Sequence, residues 1–573
     1  MEKKYTSFYK LISSINYSKF ILTIGILLSL ITTIASLLIP LFTKEMVNNF
    51  SSNTFEPKIV VIIFIIIVIK SLFDGTSQYL LSIVGESIVQ KLRNKLWDKV
   101  LYLPTAFFDK NKSGELSSRI INDTLIIKNL ITDQFPQLVT SIISIIGSIC
   151  IFFIMDWKMT LIMLTSVPLT LSIILPLSKK IEKISSNIQD ETASLNSYTQ
   201  QTLGNIRLVK SSTAESIEKL KGYNKTKYLY SLGLQESKIN AMISPLISSL
   251  LMVLMIFLVA YGGIRVSNGT LSTGELVAFL MYLFQIISPF INLSSFLNEL
   301  NKTNGATKRI IKILNTNIEK LDGNPIPISI SKNINFDKVS LTLENKNILN
   351  HISFEIPYNQ KIAFVGPSGA GKSTILNSIE RFYLPSEGSI MIGNEDIQDI
   401  NIYEWRKKVG YVSQENTMID GTIKENLIYG LDHNKISDNT IWEALEKAYA
   451  KNFVEKLSNK LNTEIGERGV KLSGGEKQRI NIARIFLKNP EILLFDEATA
   501  SLDSNSEIYI RDSLNILMKN RTTLIVAHRL TTIMDADIIY FVDSGEITGK
   551  GKHDELLLKH PKYKKYVEYQ LQT

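Results

Sequence analysis

The chain has 573 residues, more than one ordinary domain holds. Apolar residues make up 45% of it, concentrated as long Ile, Leu, Val, Phe and Met runs in the first half, whereas the second half reads as a soluble α/β protein. The formal net charge of +9 is a weak argument for a nucleic-acid partner, because membrane topology accounts for most of the excess. The single cysteine, Cys150, excludes an intrachain disulfide, and no cleavable signal peptide is predicted.

Six apolar segments are each long enough to cross a bilayer, which takes about 20 helical residues. They cover 20–42, 59–85, 138–155, 159–178, 245–264 and 276–297. The connections after the second and fourth segments are long and rich in lysine and arginine, whereas the others are short and carry few cations. Because positively charged loops stay in the cytoplasm, both long connections and both chain termini are predicted to be cytoplasmic.

The two long connections have apolar residues at helical spacing, so the spans are predicted to continue as helices well beyond the membrane. Each connection contains one predicted turn, at 103–115 and at 210–216. Two interpretations of these turns stay open. They are solvated surface loops, or they dock on the soluble half and transmit force.

Two charged residues, Lys70 and Asp74, lie one helical turn apart within the second span. We interpret them as an ion pair facing the interior of the helix bundle, since side chains four residues apart are neighbours on a helix. The alternative is a water-filled path, which charges inside a membrane also indicate.

The segment KIAFVGPSGAGKSTILNSI predicts a strand, a glycine-rich turn and a helix. It contains the pattern G-x-x-x-x-G-K-[ST], whose backbone N–H groups wrap the phosphates of a nucleotide such as ATP. The nucleotide-binding residues predicted in this loop are Gly366, Ser368, Gly369, Gly371, Lys372, Ser373 and Thr374. Lys372 is expected to reach the β- and γ-phosphates, and Ser373 to coordinate Mg²⁺.

Two further apolar segments read as buried strands that end in residues suited to nucleotide hydrolysis. Asp496 and Glu497 follow ILLF, and His528 follows TTLIVA. Because ligands collect at the carboxyl ends of parallel strands, Asp496 suits the Mg²⁺ shell and Glu497 suits polarising the attacking water. His528 is expected to donate a hydrogen bond to the γ-phosphate. The alternatives are an acidic pair that caps a helix and an ordinary structural histidine.

A second anion-binding pattern, VKLSGGEKQR at 470–479, places a serine and two glycines before a predicted helix. Further motifs are Gln414 in YVSQENTMIDGTIKENL, TEIGERG at 463–469, LLFDE at 493–497, SLD at 501–503 and AHR at 527–529. In the order and spacing of these motifs, the chain resembles a bacterial ABC exporter half-transporter over nearly its whole length. The resemblance implies an α-helical six-span transmembrane domain over 1–315, a linker over 316–333 and an α/β P-loop nucleotide-binding domain over 334–573.

The resemblance also implies how the site is assembled. Two nucleotide-binding domains would face each other head to tail, so that the phosphate loop of one and Ser473, Gly474 and Gly475 of the other close on one ATP. Gln414 would sense Mg²⁺ and the γ-phosphate, and Asp503 would bridge the two sites. Catalysis would rest on Glu497, His528 and Gln414, and the metal ligands would be Ser373, Gln414 and Asp496.

One residue departs from the family pattern. Leu343 stands where the family usually places an aromatic that stacks on adenine, so we expect weaker base selectivity and a raised KM for ATP. The resemblance implies that the turns near Phe107–Phe108 and Ser211–Glu215 would be the coupling helices of the family.

The resemblance implies ATP-driven export of an amphipathic or lipophilic compound, whether drug, lipid or peptide, by a dimer that alternates its access across the cytoplasmic membrane. A homodimer is favoured because the catalytic set is complete, with a heterodimer as the alternative. The alternatives in function are an importer of siderophore-like compounds and a non-transporting, ATP-switched membrane sensor.

Overall fold

The computed structural model describes residues 2–52, 54, 56–111, 113–325, 331–343, 346–413, 416–496, 504–526 and 533–572. Within the helices, some side chains, among them most of those in 165–175, fall outside this description. The chain forms two compact units. The first comprises Met1–Asp98 and Leu116–Asn315, and the second comprises Lys99–Glu115 and Thr316–Thr573. The first cytoplasmic turn predicted from the sequence therefore groups with the second unit.

The first 315 residues are helical almost throughout. Their helices are α1 (Glu2–Ser13), α2 (Lys19–Ser51), α3 (Pro57–Leu101), α4 (Thr105–Lys110), α5 (Ser113–Met155), α6 (Trp157–Gly204), α7 (Ile206–Ser211), α8 (Glu215–Ser267) and α9 (Thr273–Asn315). Five helices are long and apolar enough to cross a membrane among the described residues, namely α2, α3, α5, α8 and α9. They contain five of the six predicted spans. The fourth predicted span lies in α6, where many side chains are outside the described set, so it stays a prediction.

The prediction that the spans continue beyond the membrane is confirmed by the helix lengths. Helix α3 has 45 residues and α8 has 53. At a rise of about 1.5 Å per residue they extend for about 65–80 Å, more than twice the ~30 Å hydrocarbon core of a bilayer. Continuous apolar sequence occupies only the membrane-spanning part of each helix. Beyond the membrane, apolar residues at helical spacing continue the helix.

The transmembrane helices of the first unit pack around an aromatic cluster. The rings of Phe152 on α5 and Phe279 on α9 stack with centroids 4.7 Å apart, and the Tyr282 hydroxyl donates a hydrogen bond to the Leu37 carbonyl of α2. At the tight turn between α5 and α6, Asp156 accepts a hydrogen bond from the Met159 amide at 2.8 Å and pairs with Arg265. These contacts join α2, α5, α6, α8 and α9.

The second unit is an α/β domain with two sheets. Its strands are β1 (Ile334–Leu343), β2 (Lys346–Ile356), β3 (Lys361–Val365), β4 (Glu387–Ile392), β5 (Glu395–Asp396), β6 (Val409–Val412), β7 (Ile492–Asp496), β8 (Thr522–Val526), β9 (Ile538–Asp543) and β10 (Glu546–Gly551). One sheet is antiparallel with the order β2-β1-β4-β5. The other has the order β10-β9-β3-β8-β7-β6, parallel except for β10.

Helices cover the parallel sheet. They are α10 (Lys372–Ile379), α11 (Ile402–Lys408), α12 (Ile423–Leu427), α13 (Asp438–Lys447), α14 (Lys451–Lys456), α15 (Gly474–Lys488), α16 (Ser504–Met518), α17 (His553–Lys559) and α18 (Pro561–Gln572). Alternate residues of each central strand enter two different cores. On β3, Ala363 and Val365 pack against the layer containing α12–α18, whereas Ile362 and Phe364 pack against the antiparallel sheet and α10. Burial on both faces explains why these strands read as continuous apolar runs.

The register of the parallel strands aligns their carboxyl ends. Val526 of β8 pairs with Phe364 of β3 and with Asp496 of β7, and Val412 of β6 pairs with Phe495. The segments that leave these four strands therefore begin at the same edge of the sheet, where ligands of open parallel sheets bind.

Candidate nucleotide-binding site

The loop between β3 and α10 has a backbone that requires glycine at three positions. Gly366, Gly369 and Gly371 have φ values of 153°, 78° and 103°. A Cβ atom on Gly366 would lie 1.9 Å from the Val542 carbonyl oxygen, so no larger residue fits there. Ser368 and Gly369 are exposed at the crest of this loop, and Thr374 lies in the first turn of α10. The predicted strand, turn and helix of this segment are confirmed.

The Lys372 ammonium lies inside the loop that precedes it. The residue is only 5% exposed, and its Nζ donates hydrogen bonds to the Gly366 and Pro367 carbonyl oxygens, both at 2.8 Å. A buried positive charge surrounded by backbone groups is the arrangement that binds phosphate oxygens in glycine-rich loops.

A pair of oxygen ligands lies next to this loop. The Ser373 hydroxyl donates a hydrogen bond to Oδ1 of Asp496 at 2.9 Å, although 123 residues separate the two in sequence. Asp496 ends β7 and is largely buried. Mg²⁺ prefers oxygen ligands and commonly uses one carboxylate beside substrate phosphates, so the Ser373–Asp496 pair fits this ion. The sequence prediction placed both residues in the metal shell.

Tyr411 is a further neighbour of Asp496 that the sequence analysis missed. Its hydroxyl donates to Oδ2 of Asp496 at 3.4 Å from the adjacent strand β6. Burial, and then the Asp496 carboxylate, raise the pKa of Tyr411, so the phenol stays a hydrogen-bond donor. The sequence feature that could have identified Tyr411 is its position three residues before Gln414, near the end of an apolar strand.

Four predicted functional residues lie outside the described residues: Glu497, His528, Gln414 and Asp503. In sequence, Glu497 follows β7 directly, His528 follows β8 by two residues and Gln414 follows β6 by two residues. Their roles stay predictions that depend on the strand ends described above.

Leu343 is the last residue of β1 and pairs with Lys346 of β2. It is half-buried and packs at the margin of the core that contains Phe364 and Leu349. Its predicted proximity to adenine stays a prediction.

The second anion-binding pattern begins helix α15, as predicted. The Ser473 Oγ accepts a hydrogen bond from the Glu476 amide at 3.3 Å, and Oε2 of Glu476 accepts one from the Ser473 amide at 2.8 Å. This reciprocal capping box fixes the first turn. Ser473 and Gly474 are exposed, a Cβ atom on Gly474 would meet nothing within 4 Å, and Gly475 is buried. The helix start thus presents a small, open surface.

The first predicted cytoplasmic turn docks within the second unit. The Tyr383 hydroxyl donates a hydrogen bond to Oδ2 of Asp109 on α4 at 2.8 Å, and the Glu319 amide donates to the Tyr102 carbonyl at 2.9 Å. Burial, and then Asp109, raise the pKa of Tyr383 to about 12. The docking of this turn is confirmed, whereas the transmission of force through it, and the docking of the second turn, stay predictions.

The segment after α9 is also held in this unit. Both guanidinium Nη atoms of Arg406 donate to the carboxylate of Glu319 at 3.0 Å, and Lys320 pairs with Asp399 at 2.6 Å. A bidentate arginine–carboxylate pair is among the stronger surface contacts, so it fixes the start of the predicted linker.

Comparison with protein-family models gives two matches, the transmembrane region of ABC transporters over residues 22–290 and the ABC transporter domain over residues 349–500. The chain belongs to the ABC transporter family. It is 43% identical over 567 residues to the multidrug resistance ABC transporter ATP-binding and permease protein of Lactococcus lactis subsp. cremoris (strain MG1363), covering 98% of this chain and 95% of that protein.

Two further relatives define the type of transporter. The ATP-dependent lipid A-core flippase of Syntrophus aciditrophicus (strain SB) is 34% identical over 513 residues, covering 88% of this chain and 84% of the flippase. A solved structure of a bacterial Atm1-family ABC exporter with ATP bound superposes with a TM-score of 0.78 at 27% identity, covering 95% of this chain and 97% of that one. This ABC transporter is a multi-pass membrane protein of the half-transporter type, with a transmembrane region and an ATP-hydrolysing domain in one chain.

Proposed function

We propose that two copies of this chain form an ATP-driven exporter of lipophilic or amphipathic compounds in the cell membrane. Relatives named as multidrug transporters and lipid flippases support the substrate class. The cation-rich long connections support a cytoplasmic position for both termini and the second unit. A homodimer is supported by the sequence, which carries every motif of a complete catalytic set.

One observation carries the proposal. Ser373 and Asp496 form a hydrogen bond next to the loop that holds Lys372, whereas Ser473 caps a separate helix and is exposed together with Gly474. One chain has a single copy of each half-site. In the dimer, the phosphate loop of one subunit and Ser473–Gly475 of the other would bind the same ATP.

The residues of the site would have different roles at the phosphates of ATP. Lys372 exchanges its carbonyl partners for β- and γ-phosphate oxygens, and the exposed loop amides bind the remaining ones. Ser373, Asp496 and Gln414 would hold Mg²⁺, which neutralises charge on the phosphates when bound. Glu497 orients and polarises the attacking water, and His528 donates a hydrogen bond to the γ-phosphate.

Transport requires that ATP favours one state of the dimer. A ligand shifts a conformational equilibrium only by its difference in affinity for the two states. Because Ser473–Gly475 contact the nucleotide of the other subunit only after closure, ATP binds the closed dimer more tightly. Hydrolysis removes that difference and resets the cycle.

The test is ATP-dependent transport into inside-out membrane vesicles, with the amphipathic dye ethidium as the first probe. We expect ethidium to accumulate with ATP and Mg²⁺, and Lys372→Ala to abolish both accumulation and ATP hydrolysis. Lys435→Ala, which changes an exposed lysine, is the matched control and should retain both. Vesicles that hydrolyse ATP yet move none of a panel of amphipathic compounds inward would contradict the proposal.

A further inference from the structure

A polar cavity lies among the transmembrane helices of the first unit. Helices α2, α3, α5 and α9 border it, and its volume is about 470 Å³, within the range of small-molecule binding sites. Serine and threonine side chains dominate its wall, together with the amides of Gln285 and Asn292 and the charged side chains of Lys70 and Asp74. A wall of this kind is unusual where the surrounding solvent is hydrocarbon.

Most neutral polar side chains of the wall already have hydrogen-bond partners in the protein. Gln285 Nε2 donates to Ser36 Oγ at 3.1 Å, and Asn292 Nδ2 donates to Ser141 Oγ at 3.4 Å. The Thr33 hydroxyl donates to a carbonyl of its own helix. These bonds hold the polar side chains of the wall in a fixed arrangement.

Among the described residues, the two charged residues have no such partners. Within the part of the chain that the structure describes, neither Lys70 nor Asp74 forms an ion pair or a side-chain hydrogen bond, so the ion pair predicted from the sequence is wrong. Both side chains line the cavity instead of meeting each other.

Lys70 and Asp74 lie far inside the membrane-spanning part of α3. At this position, the absence of a partner among the described residues points to a functional role for the two charges. Lys70 lies eleven residues after Ile59, where the span begins, which is about 16 Å along the helix and close to the middle of a ~30 Å hydrocarbon core. Ionisable groups at this depth are costly and mark substrate or ion pathways. An external group that pairs with both charges would remove the cost of each.

We propose that this cavity binds amphipathic compounds with a zwitterionic headgroup. This inference rests on the proposed export function and narrows its substrate class. The anionic group of the ligand faces the Lys70 ammonium, and its cationic group faces the Asp74 carboxylate. Side chains at i and i+4 have Cβ atoms about 5–6 Å apart, which suits the adjacent charges of an ammonium–phosphate or ammonium–carboxylate headgroup. A purely cationic ligand leaves Lys70 unpaired, and a purely anionic one leaves Asp74 unpaired.

The test uses the full chain in proteoliposomes and four probes. Fluorescent short-chain phosphatidylethanolamine and norfloxacin are zwitterionic, one a membrane lipid and the other a soluble drug, whereas fluorescent phosphatidylglycerol is anionic and ethidium is cationic. ATP-dependent movement is measured for each. We expect the wild type to move at least one zwitterionic probe about tenfold faster than either singly charged probe. Whether the lipid, the drug or both move shows the source of the shared headgroup chemistry.

Charge variants assign the preference to the two residues. Lys70→Met should shift the preference to ethidium, Asp74→Asn should shift it to phosphatidylglycerol, and the exchange K70D/D74K should restore the zwitterionic preference. Lys58→Met, at the start of the same helix, is the matched control and should leave the preference unchanged.

The outcomes separate this inference from the export function. Equal wild-type rates for zwitterionic and singly charged probes, or unchanged preferences in Lys70→Met and Asp74→Asn, overturn the inference while ATP-dependent movement still supports export. If the variants fail to insert, the wild-type preference alone decides. Movement of no probe, with ATP hydrolysis intact, contradicts the export function itself.

Discussion

Lys372 shows how the glycine-rich loop holds a buried positive charge at the candidate phosphate site. Its ammonium is buried, and two carbonyl oxygens of its own loop accept its hydrogen bonds at 2.8 Å. Burying an unpaired charge is costly, so these bonds stabilise the loop in the form that binds phosphate. Phosphate oxygens carry more charge than carbonyls, so they compete well for the same donors.

Glu380, at the end of α10, connects stability to pH. Burial raises its pKa from 4.5 to about 7, against the opposing influence of Lys488 and Arg406. The native chain therefore binds more protons than the unfolded chain between these values. The stability that protonated Glu380 contributes is complete below pH 4.5 and is lost as the pH rises through about 7.

Glu380→Gln should remove this loss. We expect the variant to lose less stability than the wild type between pH 5 and pH 8, by on the order of 1–3 kcal/mol. Thermal unfolding of the purified full chain at both pH values measures the difference. Glu443→Gln, an exposed glutamate on α13, is the control and should follow the wild type. Parallel pH profiles for Glu380→Gln and the wild type would show that Glu380 does not carry this dependence.

At the scale of elements, two helices share one capping device but differ in what surrounds them. Thr422 and Glu425 form a capping box at α12 in the same way that Ser473 and Glu476 do at α15. Loss of either cap costs about 1 kcal/mol of stability. Only α15 is predicted to face the nucleotide of a second subunit.

The two alanine variants therefore separate stability from function. Ser473→Ala and Thr422→Ala should lower the melting temperature by similar amounts, but only Ser473→Ala should reduce ATP hydrolysis, by tenfold or more, about 1.4 kcal/mol. Melting temperature and ATPase rate are measured on the same preparations. Equal ATPase losses in both variants would mean that Ser473 acts only as a helix cap.

The contact between α4 and Tyr383 within the second unit makes a separate prediction. Tyr383→Phe removes the donor to Asp109 and keeps the ring, so the turn is held less firmly. We expect ethidium moved per ATP hydrolysed to fall about fivefold, while ATP hydrolysis continues. Tyr358→Phe, an exposed tyrosine, is the control. If Asp109 is the partner that matters, adding Asp109→Ala to Tyr383→Phe causes no further loss; an additive loss would contradict the pairing.

The spacing of apolar residues in the sequence predicted most helices and strands of this fold, because apolar residues recur at the positions that each helix or strand buries. The Ser373–Asp496 contact was also predictable, since parallel strands bring their carboxyl ends together. The Tyr383–Asp109 bond joins residues 274 positions apart on surfaces with no sequence pattern, so it could not be predicted. Spacing on α3 suggested that Lys70 pairs with Asp74, but both side chains line the cavity that α3 borders together with α2, α5 and α9.

At the scale of the whole molecule, the chain is a half-transporter. It carries one phosphate loop and one LSGGE segment, and family relatives of this type work as dimers. We infer that the two segments of one nucleotide site come from different subunits. A transporter built in this way cannot complete its cycle as a monomer.

Complementation between two impaired variants tests this arrangement most directly. Lys372→Ala and Ser473→Ala are co-expressed with different affinity tags, and the mixed dimer is purified through both tags. Either variant alone has a damaged half in both sites, whereas the mixed dimer combines both defects in one site and leaves the other intact. We predict that ATP hydrolysis returns only in the mixed dimer. A mixed dimer no more active than either parent variant, or wild-type protein that hydrolyses ATP at full rate as a monomer, would contradict this arrangement.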